Sequence, residues 1–298
     1  MIKRILDLKP KELAHLKGPE IIESIKASEG RAMVSEVISP AMPLLYDVSN
    51  VELAASMGAD IIILNVYDVL NPKVFGFENN DEKLIHTIRD KVGRIVGINL
   101  EPISDEKLLE TKIEIDAGRK ATKENALKAL DQGAQMILLT GNPKTGVSNQ
   151  AIIKALTSIK NVTNNQLVLA AGKMHGSGLD IKDFLSTDDI DAFIDAGADI
   201  ILLPAPGTVP GITEDWCQKR ISHIKKKGKL SLTSIGTSQE GASKSVIEQF
   251  ALMSKKAGTD MHHIGDCGYF GIALPENIMT YSIAIRGVRH TYRRMAMK

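Results

Sequence analysis

The stretch Asp195–Gly207, DAGADIILLPAPG, sets a glycine at the end of a helical run, an acid two residues later, then an apolar segment. Glycine supplies the left-handed backbone that closes a helix. A short isoleucine- and leucine-rich run without polar alternation suits a strand covered on both faces, as in a parallel sheet. The same phrase recurs at Ser56–Asp68 (SMGADIIILNVYD), Asp131–Pro143 (DQGAQMILLTGNP) and Lys256–Gly268 (KAGTDMHHIGDCG). Between these lie four more strand candidates: RAMVSEVIS from Arg31, RIVGINLEP from Arg94, QLVLAAGKMHG from Gln166 and KLSLTSIGTS from Lys229. Helical periods fill the intervals, beginning with SNVELAASMGA, where Ser49 or Asn50 is a competent N-cap. Eight alternating units predict an α/β chain folded as a (β/α)8 TIM barrel, with the repeated phrase marking its even strands.

Two short helical stretches, KPKELAHLK and GPEIIESIKASEG, precede the first strand. The expected organisation is an N-terminal helical segment over residues 1–30, covering the bottom of the barrel, and a barrel domain over 31–298. One long connection, Ile103–Ala121 after strand three, reads either as a lid or as a surface elaboration. No Gly-x-Gly-x-x-Gly follows the first strand, which removes the usual sign of a dinucleotide fold.

With 43% hydrophobic and 24% charged residues, the composition is that of a soluble globular protein. A formal charge of +1 lacks the basic excess that phosphate neutralisation demands, so nucleic acid is not an expected partner. Cys217 and Cys267 form no CxxC or Cys/His cluster, and the N-terminal residues lack a signal-peptide pattern. No run reaches the length of a membrane span. The expectation is a cytoplasmic homo-oligomer acting on a small anionic molecule, without a membrane partner.

Barrel anatomy puts chemistry at the C-terminal ends of the strands. Glu36, Asp47, Asn65, Tyr67, Asp68, Thr140, Asn142 and Asp266 all fall there. Glu101 is the foremost candidate, able to hold Mg2+ or to carry a proton. Asn99, two residues earlier, shares its face of the strand. The plainer alternative for Glu101 is an ion pair at the rim. Lys173 is placed to neutralise an anion or, with a lowered pKa, to form a Schiff base, with His175 beside it. Of His262 and His263 only one can point inward, and a packed, hydrogen-bonded histidine is expected for either. The glycine-bearing loops after strands seven and eight, with Gly236, Thr237, Ser238, Gly265 and Gly268, are the expected phosphate site.

These residues resemble a known family. PLLYDVSNVELAASMGADIIILN is similar to the first strand–helix–strand of the phosphoenolpyruvate mutase/isocitrate lyase superfamily, and GADIILLPAPG to its sixth strand. GINLEP stands where that superfamily carries Asp-x-Asp, with Asn99 and Glu101 in the two aspartate positions, and Asp47 matches its Tyr-Asp aspartate. The family's glutamate after strand four is replaced by LLTGNP, and its cysteine-bearing loop has no thiol here. The resemblance implies a magnesium-dependent lyase or mutase acting on a small α-oxo or phosphorylated acid through a metal-stabilised enolate. Two alternatives stand beside it: a metal-free sugar-phosphate aldolase or isomerase using Lys173, and a barrel that binds a metabolite without turnover.

Overall fold

The computed structural model describes residues 3–78, 82–103, 114–175 and 185–297. The strands are β1 (Ala32–Ile38), β2 (Ile61–Asn65), β3 (Ile95–Leu100), β4 (Met136–Leu139), β5 (Val168–Gly172), β6 (Ile200–Pro204), β7 (Leu230–Ile235) and β8 (Met261–Ile264). They pair in parallel in chain order, and β8 closes on β1, so the (β/α)8 barrel read from the sequence is the fold. The helices α1 (Pro10–His15) and α2 (Gly18–Lys26) precede β1. After successive strands come α3 (Asn50–Ser56), α4 (Leu84–Val92), α5 (Lys123–Gln132), α6 (Asn149–Thr163), α7 (Thr187–Asp195), α8 (Glu214–Lys226), α9 (Lys244–Ala257) and α10 (Pro275–Ala296). Side chains of Ser49, Thr122, Ser148, Ser186 and Thr213 accept backbone N–H groups at the starts of α3, α5, α6, α7 and α8, at about 1 kcal/mol per cap. Among the described residues no helix is long and apolar enough to cross a membrane.

The repeated phrase has a structural cause. Gly58, Gly133, Gly197 and Gly258 all take positive φ, between 91° and 113°, where each chain leaves its helix. The acid or amide two residues later performs the same task in all four copies. Asp60 accepts the N–H of Met33 at 2.9 Å, and Gln135 that of Val96 at 3.1 Å. Asp199 accepts from Leu169 at 3.1 Å, and Asp260 from Ser231 at 2.9 Å. Each even strand is thus fastened to the start of the odd strand before it, through a backbone donor that would otherwise be left without a partner on entering the sheet.

Side chains alternate along the strands. Met33, Ile62, Val96, Ile137, Leu169 and Ile201 lie in the layer between sheet and helices. Their neighbours Val34, Ile61, Ile95, Leu138, Ala170 and Leu202 share a second buried cluster with Ile5, Leu13, Ile21 and Ile25, which places the N-terminal helices across the lower opening. The chain ends meet there. Asp60, fully buried, lies in ion-pair contact with Arg286 and Arg294 of α10, and Arg294 also donates to the carbonyl oxygens of Ile5 and Leu8. Burial alone would raise the Asp60 carboxyl, but Arg286 and Arg294 overcome it and hold the group below its usual range.

Candidate active site

Towards the C-terminal ends the inward positions change from apolar to polar. On β1 the series Ala32, Val34 ends in Glu36; on β2 Ile61, Ile63 ends in Asn65; on β4 Met136, Leu138 leads to Thr140. A cavity of about 200 Å³ opens at this level, with Glu36, Asn65, Asn99, Thr140, Asn142 and Glu240 among its walls. Glu240 comes from a single 3-10 turn, Gln239–Gly241, after β7.

Asn65 organises one wall. Its Nδ2 donates to Asn142 Oδ1 at 2.9 Å and to Asp266 Oδ2 at 2.8 Å. Its Oδ1 accepts from Asn99 Nδ2 and from Asn142 Nδ2, both at 3.1 Å. It also accepts the N–H of Val66 at 2.9 Å, and Val66 takes the left-handed conformation at φ 56°. A β-branched residue there is strained by roughly 1–3 kcal/mol, and such strain gathers at functional sites.

Four residues that line the cavity each keep a buried polar atom with no hydrogen-bond partner among the described residues: Glu36 Oε1, Asn99 Oδ1, Thr140 Oγ1 and Glu240 Oε2. Desolvation drives the charge state of both carboxyls. Burial raises Glu36, opposed by His263. Burial pushes Glu240 up to about 7. His263 Nε2 lies 3.2 Å from Glu36 Oε2, while its Nδ1 stands 2.6 Å from Ser234 Oγ. The His263 ring thus stands between the Ser234 hydroxyl and the Glu36 carboxyl. His262, the next residue, points the other way, towards Tyr281 and the Gly30 carbonyl.

The residues singled out in the sequence separate into those on this wall and those off it. Asn99, His175, Gly236, Ser238, Gly265 and Gly268 line the cavity. Burial lowers His175, favouring its neutral form. Glu101 is buried behind the wall, with Oε1 2.5 Å from an Arg119 guanidinium nitrogen and Oε2 accepting the N–H of Asn142 at 3.0 Å. Glu101 thus makes the ion pair of the plainer reading, with Arg119, and the contact pins the chain entering α5 to the end of β3. Asp47 is solvent-exposed on the β1–α3 connection and does not line the cavity. Lys173 is buried and off the cavity wall; burial lowers it, and Asp189 of α7 opposes that. Thr237 turns its hydroxyl to the Thr208 carbonyl oxygen and to Gln239. The lid reading of Ile103–Ala121 falls largely on residues 104–113, which lie outside the described residues.

Two features of this wall depart from the expectation of Mg2+ and a phosphate. Glu101 has both oxygens engaged by protein donors, and Asp47 does not line the cavity, so with Asn99 they make no ligand set there for the cation. Among the described residues no three His, Cys, Asp or Glu side chains are grouped to hold a metal ion. The Gly265 N–H is bound to the Ile235 carbonyl and that of Gly268 to Asp266 Oδ1, so neither is free to cradle an oxyanion. A Cβ on Gly265 would collide with the Glu240 carboxylate, which fills the space beside that loop. Among the described lining residues there is no lysine or arginine. Glu240 is the residue the sequence reading missed: the phrase IGTSQEGAS drew attention to its glycines, and the acid within it was passed over.

The comparisons with known proteins support the fold and leave the chemistry open. A family model described as "Domain of unknown function (DUF7916)" matches residues 6–298. No curated protein matches the chain. An archaeal fructose-1,6-bisphosphate aldolase with its catalytic lysine bound to the carbinolamine intermediate is similar in structure, at TM-score 0.54 and 14% identity over 88% of this chain and 96% of that one. A second archaeal fructose 1,6-bisphosphate aldolase gives TM-score 0.54 and 12% identity, over 87% and 95%. A 2,3-dimethylmalate lyase of the PEP mutase/isocitrate lyase superfamily gives 0.52 and 11%, over 85% and 82%. The barrel is common to all three, so the likeness in fold extends to a member of the superfamily the sequence resembles and to the aldolases alike.

Proposed function

The chain belongs to the DUF7916 family, and for this member we propose an enzyme that moves protons on a small hydroxylated carbonyl compound, a lyase or isomerase working at the barrel mouth. The observation that carries this reading is the pair of buried carboxyls that line the cavity, Glu36 and Glu240, each with one unpartnered oxygen. A carboxyl raised towards neutrality can both take and return a proton at physiological pH. General acid–base catalysis of this kind contributes roughly 10²–10⁴ in rate.

In this reading one carboxylate removes a proton from the carbon beside the carbonyl. The electron pair of that C–H bond becomes the C=C of an enol as the other carboxylic acid protonates the carbonyl oxygen. Return of a proton to the former carbonyl carbon, as the neighbouring hydroxyl loses its proton and becomes the new C=O, isomerises the compound. Removal of a β-hydroxyl proton instead turns that O–H pair into C=O, the C–C pair passes into the enol, and the carboxylic acid protonates the original carbonyl oxygen. Asn65, Asn99 and Asn142 orient the substrate, and His263 is a positioning residue for Glu36. The aldolase and lyase neighbours support chemistry beside a carbonyl without choosing between its forms.

The test is deuterium wash-in, followed by NMR, on a panel of small hydroxy-aldehydes, hydroxy-ketones and oxo acids incubated with the protein in heavy water. Wild-type protein is expected to label the carbon beside one carbonyl, and Glu36→Gln to slow labelling by about 100-fold or more. Labelling or turnover undiminished in both Glu36→Gln and Glu240→Gln removes the proposal.

A further inference from the structure

We infer that the rim cavity takes an unphosphorylated polyhydroxy compound, held through its O–H donors, and discriminates against phosphate and carboxylate groups. This deepens the reading of the cavity as the active site and rests on it. Of the four unpartnered atoms of the lining residues, Glu36 Oε1, Glu240 Oε2 and Asn99 Oδ1 are acceptors, and Thr140 Oγ1 is a hydroxyl that can serve either way. These side chains are 2–3% exposed, so each atom left without a partner costs about 1–3 kcal/mol. A phosphate or carboxylate offers only acceptors and would leave them unmatched while adding charge beside Glu36, Glu240 and Asp266.

The four residues come from β1, β3, the end of β4 and the turn after β7, so they are spread around the cavity rather than clustered on one element. Several separated acceptors call for several separated donors, which a polyol carries along its chain and a single ammonium does not. The size agrees. About 200 Å³ corresponds to roughly seven waters at ~30 Å³ each, the scale of a short polyol.

Glycerol, glycerol 3-phosphate and ethanolamine are the probes. Crystals soaked in each at molar concentration, and calorimetric titrations at pH 8, above the Glu240 value of about 7, read binding without any need for turnover. Glycerol is expected in the cavity with hydroxyls on Glu36, Asn99 and Glu240, binding roughly tenfold or more tighter than its phosphate ester. Glu240→Gln is expected to narrow that ratio. Glycerol 3-phosphate binding more tightly than glycerol overturns the inference, as does ethanolamine in the cavity in preference to glycerol, or a glycerol soak with no polyol there. Because these are binding results, they stand or fall separately from deuterium wash-in, which tests the acid–base reading itself.

Discussion

Glu240 is 3% exposed, and burial pushes its carboxyl from 4.5 up to about 7, so protonation at this one position links the site to the stability of the fold. The groups facing it are Asp266 and Glu36, which raise it further, and His263, which lowers it. A folded-state pKa above the unfolded value means that the native protein binds the proton more tightly. That stability is fully present below about 4.5 and is lost as the pH rises through about 7. Glutamine keeps the shape and never ionises. Glu240→Gln is therefore expected to raise the melting temperature at pH 8 while leaving it nearly unchanged at pH 4, with a gain of at most about 3 kcal/mol. Thermal melts at the two pH values check this, and an equal shift at both contradicts the burial argument. The sequence at this scale gives the two-residue spacing of Asn99 and Glu101 at the end of a strand, from which a shared face is expected. It did not show that Arg119, eighteen residues on, would return to occupy Glu101.

At the level of elements, the Gly-x-Asp/Gln phrase joins local and tertiary structure. Its glycine ends a helix by backbone conformation, a signal contained within a few residues. Its acid or amide reaches the N–H of the neighbouring strand, a contact visible only once the strands are paired. In the β8 copy, Asp260 Oδ2 accepts both the N–H and the hydroxyl of Ser231, each at 2.9 Å. Asp260→Ala leaves a buried N–H without a partner and is expected to destabilise by about 1–3 kcal/mol. Asp260→Asn retains an acceptor, as Gln135 does naturally, and should recover at least half of that loss in urea denaturation. Equal destabilisation by both variants would mean that the ion pair of Asp260 with Lys225, and not the strand contact, is what matters.

For the whole molecule, closure of the barrel brings the two chain ends together around Asp60. Three arginines converge on this region: Arg286 and Arg294 contact the carboxylate, and Arg94 bonds the carbonyl oxygens of Ala59 and Arg294. With Asp60 neutralised, buried guanidinium charge remains without its counterion. Asp60→Asn is expected to lose about 3–5 kcal/mol, the range for breaking a buried ion pair by removing one partner. Denaturant midpoints measure it, and a loss near zero would show that backbone carbonyls alone suffice to hold the arginines.

The sequence by itself determined the strand count, the even-strand repeat, the cap at Ser49 and the rim on which polar residues gather. Those follow from periodicity and turn chemistry, which act over a few neighbouring residues. Only the tertiary structure decided which rim groups face the cavity. It engaged Glu101, set Lys173 off the wall, and left Glu36 and Glu240 with unpartnered oxygens. Asn65 and Asp266, which meet at 2.8 Å, are 201 residues apart in the chain. Pairing and desolvation depend on such distant encounters, and no local pattern in the sequence carries them.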